Sequence, residues 1–148
     1  MEEEEKKPKI MIVEARFYPE LSDMLVEGAE AVIREHKFEP HTVTVPGVLE
    51  IPLAIKHSVE GPYEAFVALG VVIRGETSHY DIVSNESARG LMDLGIRERL
   101  FIGNGIVTVE NEAQARERCD PNRMNKGGAA AQAAYELLKF RHHFQKKT

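Results

Sequence analysis

The chain has no tryptophan and a single cysteine, Cys119. One thiol can neither close an internal disulfide nor supply a cysteine metal cluster, and its plain reading is an ordinary thiol near a helix end. Long apolar runs are missing too: none approaches the roughly 20 residues that a membrane-spanning helix requires. The opening decapeptide MEEEEKKPKI has no apolar centre with a cleavage site, so a secretory signal is not expected. Basic charge is not in excess, because 19 Lys and Arg face 24 Asp and Glu for a formal net charge of -5. That balance disfavours a general nucleic-acid or anionic-membrane surface and leaves room for a local basic pocket. No set of His, Asp and Glu has the spacing of metal ligands. A cytoplasmic enzyme or binding protein fits all of these absences.

What is present suits one globular domain. The 148 residues are 43% apolar and 29% charged, enough for a single core and too apolar for a disordered chain. Glu2 to Glu5 read as a solvated, mobile acidic tail over residues 1–8, followed by one domain over residues 9–148. Four β-branched runs stand out: KIMIVEA, HTVTV, AFVALGVVI and FIGNGIVTV. The third is apolar on both faces, as a doubly covered central strand would be. Between the runs, Leu21, Met24, Leu25, Gly28 and Val32 follow a helical stripe, as do Tyr80, Val83, Ser84, Ser87, Leu91 and Leu94, with Gly95 as the expected stop. Pro52 suits the first turn of a shorter helix through Ile55 and Ser58. EAQARERC and an Ala-rich terminal helix are separated by DPNRMNKG, where Pro121, Asn122 and Gly127 are expected to break the pattern. Strand and helix therefore alternate four times before a terminal helix. The prediction is an α/β domain, a three-layer sandwich whose four-stranded parallel sheet has helices on both faces.

Ligands of such sheets bind beyond the carboxyl ends of the strands, which directs attention to RFYPEL, PGVLEIP, RGETSH and ENEAQ. In RGETSH, Arg74, Gly75, Thr77 and His79 crowd one strand-to-helix turn. Gly75 lets backbone approach a ligand, and amides near Thr77 at a helix start favour an anion, although Ser and Thr there are usually just caps. His79 can exchange protons near neutral pH, or be an ordinary surface imidazole. Glu50, with the amides of Val48 and Leu49, could hold a polyhydroxylated ligand or merely compensate a helix dipole. Phe17 could stack on a flat heterocycle or simply cover the core. Arg118 and Lys126 flank the break before the last helix. Arg118 is either a solvated helix-end cation or a bidentate partner for a phosphate.

Taken in order, VEARFY, TVPGVLEIPLA, ALGVVIRGETSHYDIVSNESARG, GIVTVENEAQARERC and NKGGAAA resemble the lumazine synthase family of riboflavin biosynthesis. The resemblance runs from about Lys9 to Phe140, and VIRGETSHYD, VSNE and the downstream NKG are its specific parts. It implies a flavodoxin-like sheet and a transferase. The implied reaction condenses 5-amino-6-(D-ribitylamino)uracil with 3,4-dihydroxy-2-butanone 4-phosphate to 6,7-dimethyl-8-ribityllumazine, phosphate and water, with no cofactor and no metal. It implies Phe17 against the pyrimidine, Val48, Leu49 and Glu50 along the ribityl chain and ring edge, and Val71, Val72 and Ile73 lining the heterocycle site. Glu76 and Thr77 would hold the phosphate with Arg118, His79 would transfer protons, and Lys126 would act near the pyrimidine. Sites of this family lie between subunits, a homopentamer is the expected unit, and riboflavin synthase is a further candidate partner.

Asn104 departs from the pattern, standing where many members carry an aromatic that covers the ring from a neighbouring subunit. A homologue that binds lumazine or flavin with weak or no turnover is therefore the alternative. An FMN-binding flavodoxin-like module fits less well, since ARFYPEL lacks the small and hydroxyl residues of a phosphate loop after the first strand.

Overall fold

The computed structural model describes residues 7–75 and 78–145. Glu2 to Glu5, Glu76 and Thr77 lie outside the described residues. In chain order the elements are β1 (Lys9–Ala15), α1 (Pro19–Glu35), β2 (Glu39–Val45), a 3-10 turn (Val48–Glu50), α2 (Ile51–His57), β3 (Tyr63–Ile73), α3 (His79–Glu98), β4 (Ile102–Val109), α4 (Glu112–Cys119) and α5 (Lys126–Gln145). The strands form a parallel sheet in the order β2-β1-β3-β4. Each run of β-branched residues noted in the sequence lies in one strand, apart from Phe101 just ahead of β4, and every connection between strands contains a helix, as parallel pairing demands.

Side chains alternate across the sheet and divide the core in two. Ile10, Ile12, Val67, Leu69, Val71 and Val107 face α1, α4 and α5. Met11, Val13, Phe66, Ala68 and Val72 face α2 and α3. The β3 strand is buried on both faces from Ala65 to Val72, which is why its sequence is apolar without alternation. Glycine brings α5 close to its neighbours. A side chain at Gly127 would collide with the Leu25 carbonyl of α1, and one at Gly103 with the Ala130 carbonyl of α5.

Two expected breakpoints move. Helix α3 does not stop at Gly95; it continues to Glu98 and ends on Arg99, whose φ is 59°. The Leu100 amide returns to the Gly95 carbonyl at 3.0 Å, so Gly95 contributes its carbonyl while Arg99 takes the left-handed position. Nor does Gly127 break the pattern, since α5 begins one residue before it. The close approach to α1 selects a glycine there and outweighs its poor helix propensity. The actual punctuation is Asn125, with φ 49°, whose carbonyl accepts from the Ala129 amide at 2.9 Å and whose side-chain Oδ1 accepts from the Gly128 amide at 3.2 Å. Among the described residues, no helix is long and apolar enough to cross a membrane.

Candidate functional site

All four strands point their carboxyl ends at the same edge, so the loops after them converge there. A cavity of about 290 Å³ opens at that edge. Phe17, Val48, Leu49, Glu50, Val71, Val72, Ile73 and His79, each expected from the sequence, line it. Ala15, Tyr18, Gly47 and Val83 complete the wall. Phe17 is 72% exposed and sets its ring edge-on to Tyr18, with centroids 5.0 Å apart. An aromatic left this open on a loop is available to a ligand rather than committed to the core.

Another part of the wall is the 3-10 turn. Val48 is buried against the sheet where Gly70 leaves room for it, since a side chain at Gly70 would meet Val48 Cγ1. That packing turns Leu49 and Glu50 outward. Glu50 lies at the end of the 3-10 turn, just before α2 rather than within it. The Glu50 carboxylate curls back towards Gly47, where a Cβ would lie 3.0 Å from Oε1. The mouth therefore offers an exposed carboxylate beside an apolar floor, a pairing suited to a ligand with a flat ring and hydrogen-bonding edges.

His79 is the first residue of α3 and is exposed at the cavity. Arg74 follows directly after β3 and reaches towards α3 and β4. The Arg74 Nε lies 3.0 Å from the Glu110 carboxylate at the end of β4, and its guanidinium carbon stands 4.3 Å over the Tyr80 ring. The hydrogen bond to Glu110 raises the guanidinium pKa above its ordinary value. Arg74 therefore links the start of α3 to the end of β4, with its charge already paired to a carboxylate.

Asn104, Arg118 and Lys126 do not join this cavity. They line a second one, about 340 Å³, together with Gly105, Ile106, Val107, Thr108, Ala129, Ala130 and Ala133. Its lining draws on residues from both faces of β4, which places it along the strand's unpaired edge. Arg118, half-buried near the end of α4, donates from Nη1 to the Gln114 carbonyl at 3.3 Å. Lys126 opens α5 and is exposed. The Asn104 side chain folds back on its own strand, where Oδ1 accepts from the Ile106 amide at 2.9 Å. This blunts a free edge, a place where unpaired amides invite another chain.

One chain thus carries an aromatic-carboxylate-imidazole cavity on one side and a cationic groove at the sheet edge, and the two share no lining residue. The family model for 6,7-dimethyl-8-ribityllumazine synthase matches residues 7–142. The chain belongs to the 6,7-dimethyl-8-ribityllumazine synthase family. It is 58% identical to the 6,7-dimethyl-8-ribityllumazine synthase of Zymomonas mobilis over 88% of this chain and 94% of that protein. It is 51% identical to that of Bartonella tribocorum over 97% of each chain. With that of Erythrobacter litoralis the identity is 54% over 92% of this chain and 97% of the relative.

Within this lumazine synthase frame, sequence reasoning passed over Tyr18 and Gly47 as wall residues, although both sit in loops that it had picked out. It also gave no role to Glu14 or Arg16. A carboxylate inside an otherwise apolar strand, with an arginine two residues on, was the available signal.

Proposed function

We propose that this protein condenses 5-amino-6-(D-ribitylamino)uracil with 3,4-dihydroxy-2-butanone 4-phosphate, releasing 6,7-dimethyl-8-ribityllumazine, phosphate and water in riboflavin biosynthesis. The observation that carries the reading is the division of the expected residues into two complementary halves on one chain. A complete site then requires two copies, with the cavity of one protomer facing the β4 edge of the next. Apolar side chains exposed on the outer faces of α2 and α3, among them Leu53, Ile82, Met92 and Ile96, support contact between copies. Head-to-tail packing of this kind closes into rings, and a pentamer is the ring we assign.

In this site Phe17 stacks on the pyrimidine, while Glu50 and the backbone of Val48 and Leu49 hold the ring edge and ribityl hydroxyls. Backbone at Val71, Val72 and Ile73 forms the floor. Arg118 of the adjoining copy neutralises the phosphate, with Thr77 and the amide of Glu76 as hydrogen-bond donors, and Lys126 lies near the pyrimidine. The pyrimidine amine attacks the ketone and water leaves to give an imine. Phosphate is then eliminated, the product tautomerises, and ring closure expels a second water. His79 carries protons between these steps. Holding both reactants in register supplies much of the rate, since well-oriented reactions reach effective molarities of about 10⁵–10⁸ M.

A second reading, a lumazine- or flavin-binding homologue with little turnover, draws on Asn104, which bonds its own strand instead of offering a ring face. Mixing purified protein with both substrates separates the two. Fluorescent lumazine forming far faster than in the uncatalysed condensation supports the enzyme. Bound flavin without acceleration supports the binding protein.

A further inference from the structure

Glu14 is an anomaly in the core. It is a carboxylate on the central strand β1, 4% exposed, on the face that otherwise presents Ile10 and Ile12. Burying a charge is costly unless it is paired and hydrogen-bonded. Here Oε2 does all the pairing: it accepts from Thr44 Oγ1 at 2.7 Å and from Arg16 Nε at 3.0 Å. Oε1 is buried with no hydrogen-bond partner among the described residues. A sheet that needed only stability would place valine or isoleucine at this position.

The partners of Oε2 stand at the roots of two loops that both line the cavity. Thr44 is the penultimate residue of β2, directly ahead of the segment that carries Gly47, Val48, Leu49 and Glu50. Arg16 directly precedes Phe17. Its other contacts close the Phe17 loop from the far side, with Nη2 at 2.8 Å from Asp23 and Nη1 donating to the Pro19 carbonyl at 3.3 Å. Ser22, also buried, fastens the start of α1 to β1 by donating from Oγ to the Ala15 carbonyl at 3.4 Å. One carboxylate oxygen therefore ties the Phe17 loop to the Glu50 loop. None of the side chains of Glu14, Arg16, Thr44 and Ser22 lines the cavity.

We propose that Glu14 and Arg16 are positioning residues, which fix the distance between Phe17 and the Glu50 turn and so set affinity for the flat heterocyclic substrate. The proposal rests on the assignment of Phe17 and Glu50 to the pyrimidine. A side chain acting through two ring-holding loops should affect one substrate and spare the other. Steady-state kinetics on the assembled protein tests this with Glu14→Gln, which keeps the shape and removes the charge, and Thr44→Val, which cuts a single link and leaves the buried ion pair in place. Each is compared with Phe17→Ala.

The expected result is a KM for the ribitylaminouracil raised about tenfold in Glu14→Gln and severalfold in Thr44→Val, with kcat and the KM for the butanone phosphate within about twofold of the parent. Arg16→Lys should restore part of what Arg16→Met loses, because it keeps charge but not the planar fork. Equal losses towards both substrates, or an unchanged KM for the pyrimidine in folded Glu14→Gln and Thr44→Val, overturn the proposal. If Glu14→Gln fails to assemble, Thr44→Val decides alone. Should Phe17→Ala itself leave the pyrimidine KM unaltered, the underlying site assignment falls and this proposal with it. A pyrimidine KM raised by Phe17→Ala alone overturns only the clamp.

Discussion

His79 and Arg118 line different cavities of the chain and, in the proposed shared site, should fail differently when altered. A positioned acid-base group contributes typically ~10²–10⁴-fold, so His79→Ala is expected to slow turnover by that order while leaving activity measurable above background. Stopped-flow fluorescence of the product checks it, and complete loss in a protein that still folds and assembles would show that His79 does more than move protons. Arg118→Ala should raise the KM for the butanone phosphate far more than that for the pyrimidine, as removal of a phosphate's charge partner predicts. Cys119 is a matter of stability. It is the last residue of α4 and fully buried in the core, and burial pushes its thiol up to about 11 from an ordinary 9.0. The unfolded chain therefore releases this proton first, so the stabilisation is complete below pH 9 and fades as pH rises towards 11. Cys119→Ala should flatten the alkaline fall in denaturation midpoint across that window.

At the level of elements, the glycines of β4 and α5 decide how closely the last helix lies against the rest. Gly127→Ala would drive a methyl group into the Leu25 carbonyl of α1. Overpacking of this kind costs about 1–3 kcal/mol, read as a lower urea midpoint at fixed protein concentration. Because Lys126 opens the same helix, the substitution should also move the lysine and raise the pyrimidine KM. A change in stability without any kinetic effect would separate Lys126 from the ring. The α3 helix supplies a second case: its first residue is His79 and its last turn closes on Arg99, so the element that carries the imidazole is anchored at the other end of the sheet.

At the scale of the molecule, the proposed pairing of the two cavities across a seam makes a prediction that one chain cannot. If each seam joins the cavity of one protomer to the β4 edge of the next, then His79→Ala and Arg118→Ala damage different halves. Unfolding the two variants together and reassembling them as a mixture should regenerate seams with both halves intact, about a quarter of the total for random head-to-tail mixing. The activity of the mixture should exceed that of either variant alone. No gain in a mixed particle, verified by native mass, would place both residues in one protomer's site. A native mass equal to the monomer at working concentration would contradict the shared seam altogether.

The sequence alone determined the architecture and the family. Its four β-branched runs could only be paired in parallel through helices, and the specific RGETSH and NKG segments carry the family resemblance, so both were legible from local pattern. The loops around Phe17, Glu50 and His79 were legible for the same reason, since ligand chemistry in a parallel sheet is confined to one edge. Tertiary structure decided everything that depends on distance between segments remote in the chain. Gly127 read as a breaker until α1 was seen beside it; Gly95 read as a stop because the left-handed turn at Arg99 leaves no mark in composition. The resemblance puts Arg118 by the phosphate and Lys126 near the pyrimidine of the site that holds His79, and within one chain they line another cavity. Glu14 passed as one polar residue in an apolar strand until the fold brought Thr44 and Arg16 to the same oxygen. Periodicity records which face a residue takes, whereas a buried charge finds its partners only when the strands are laid side by side.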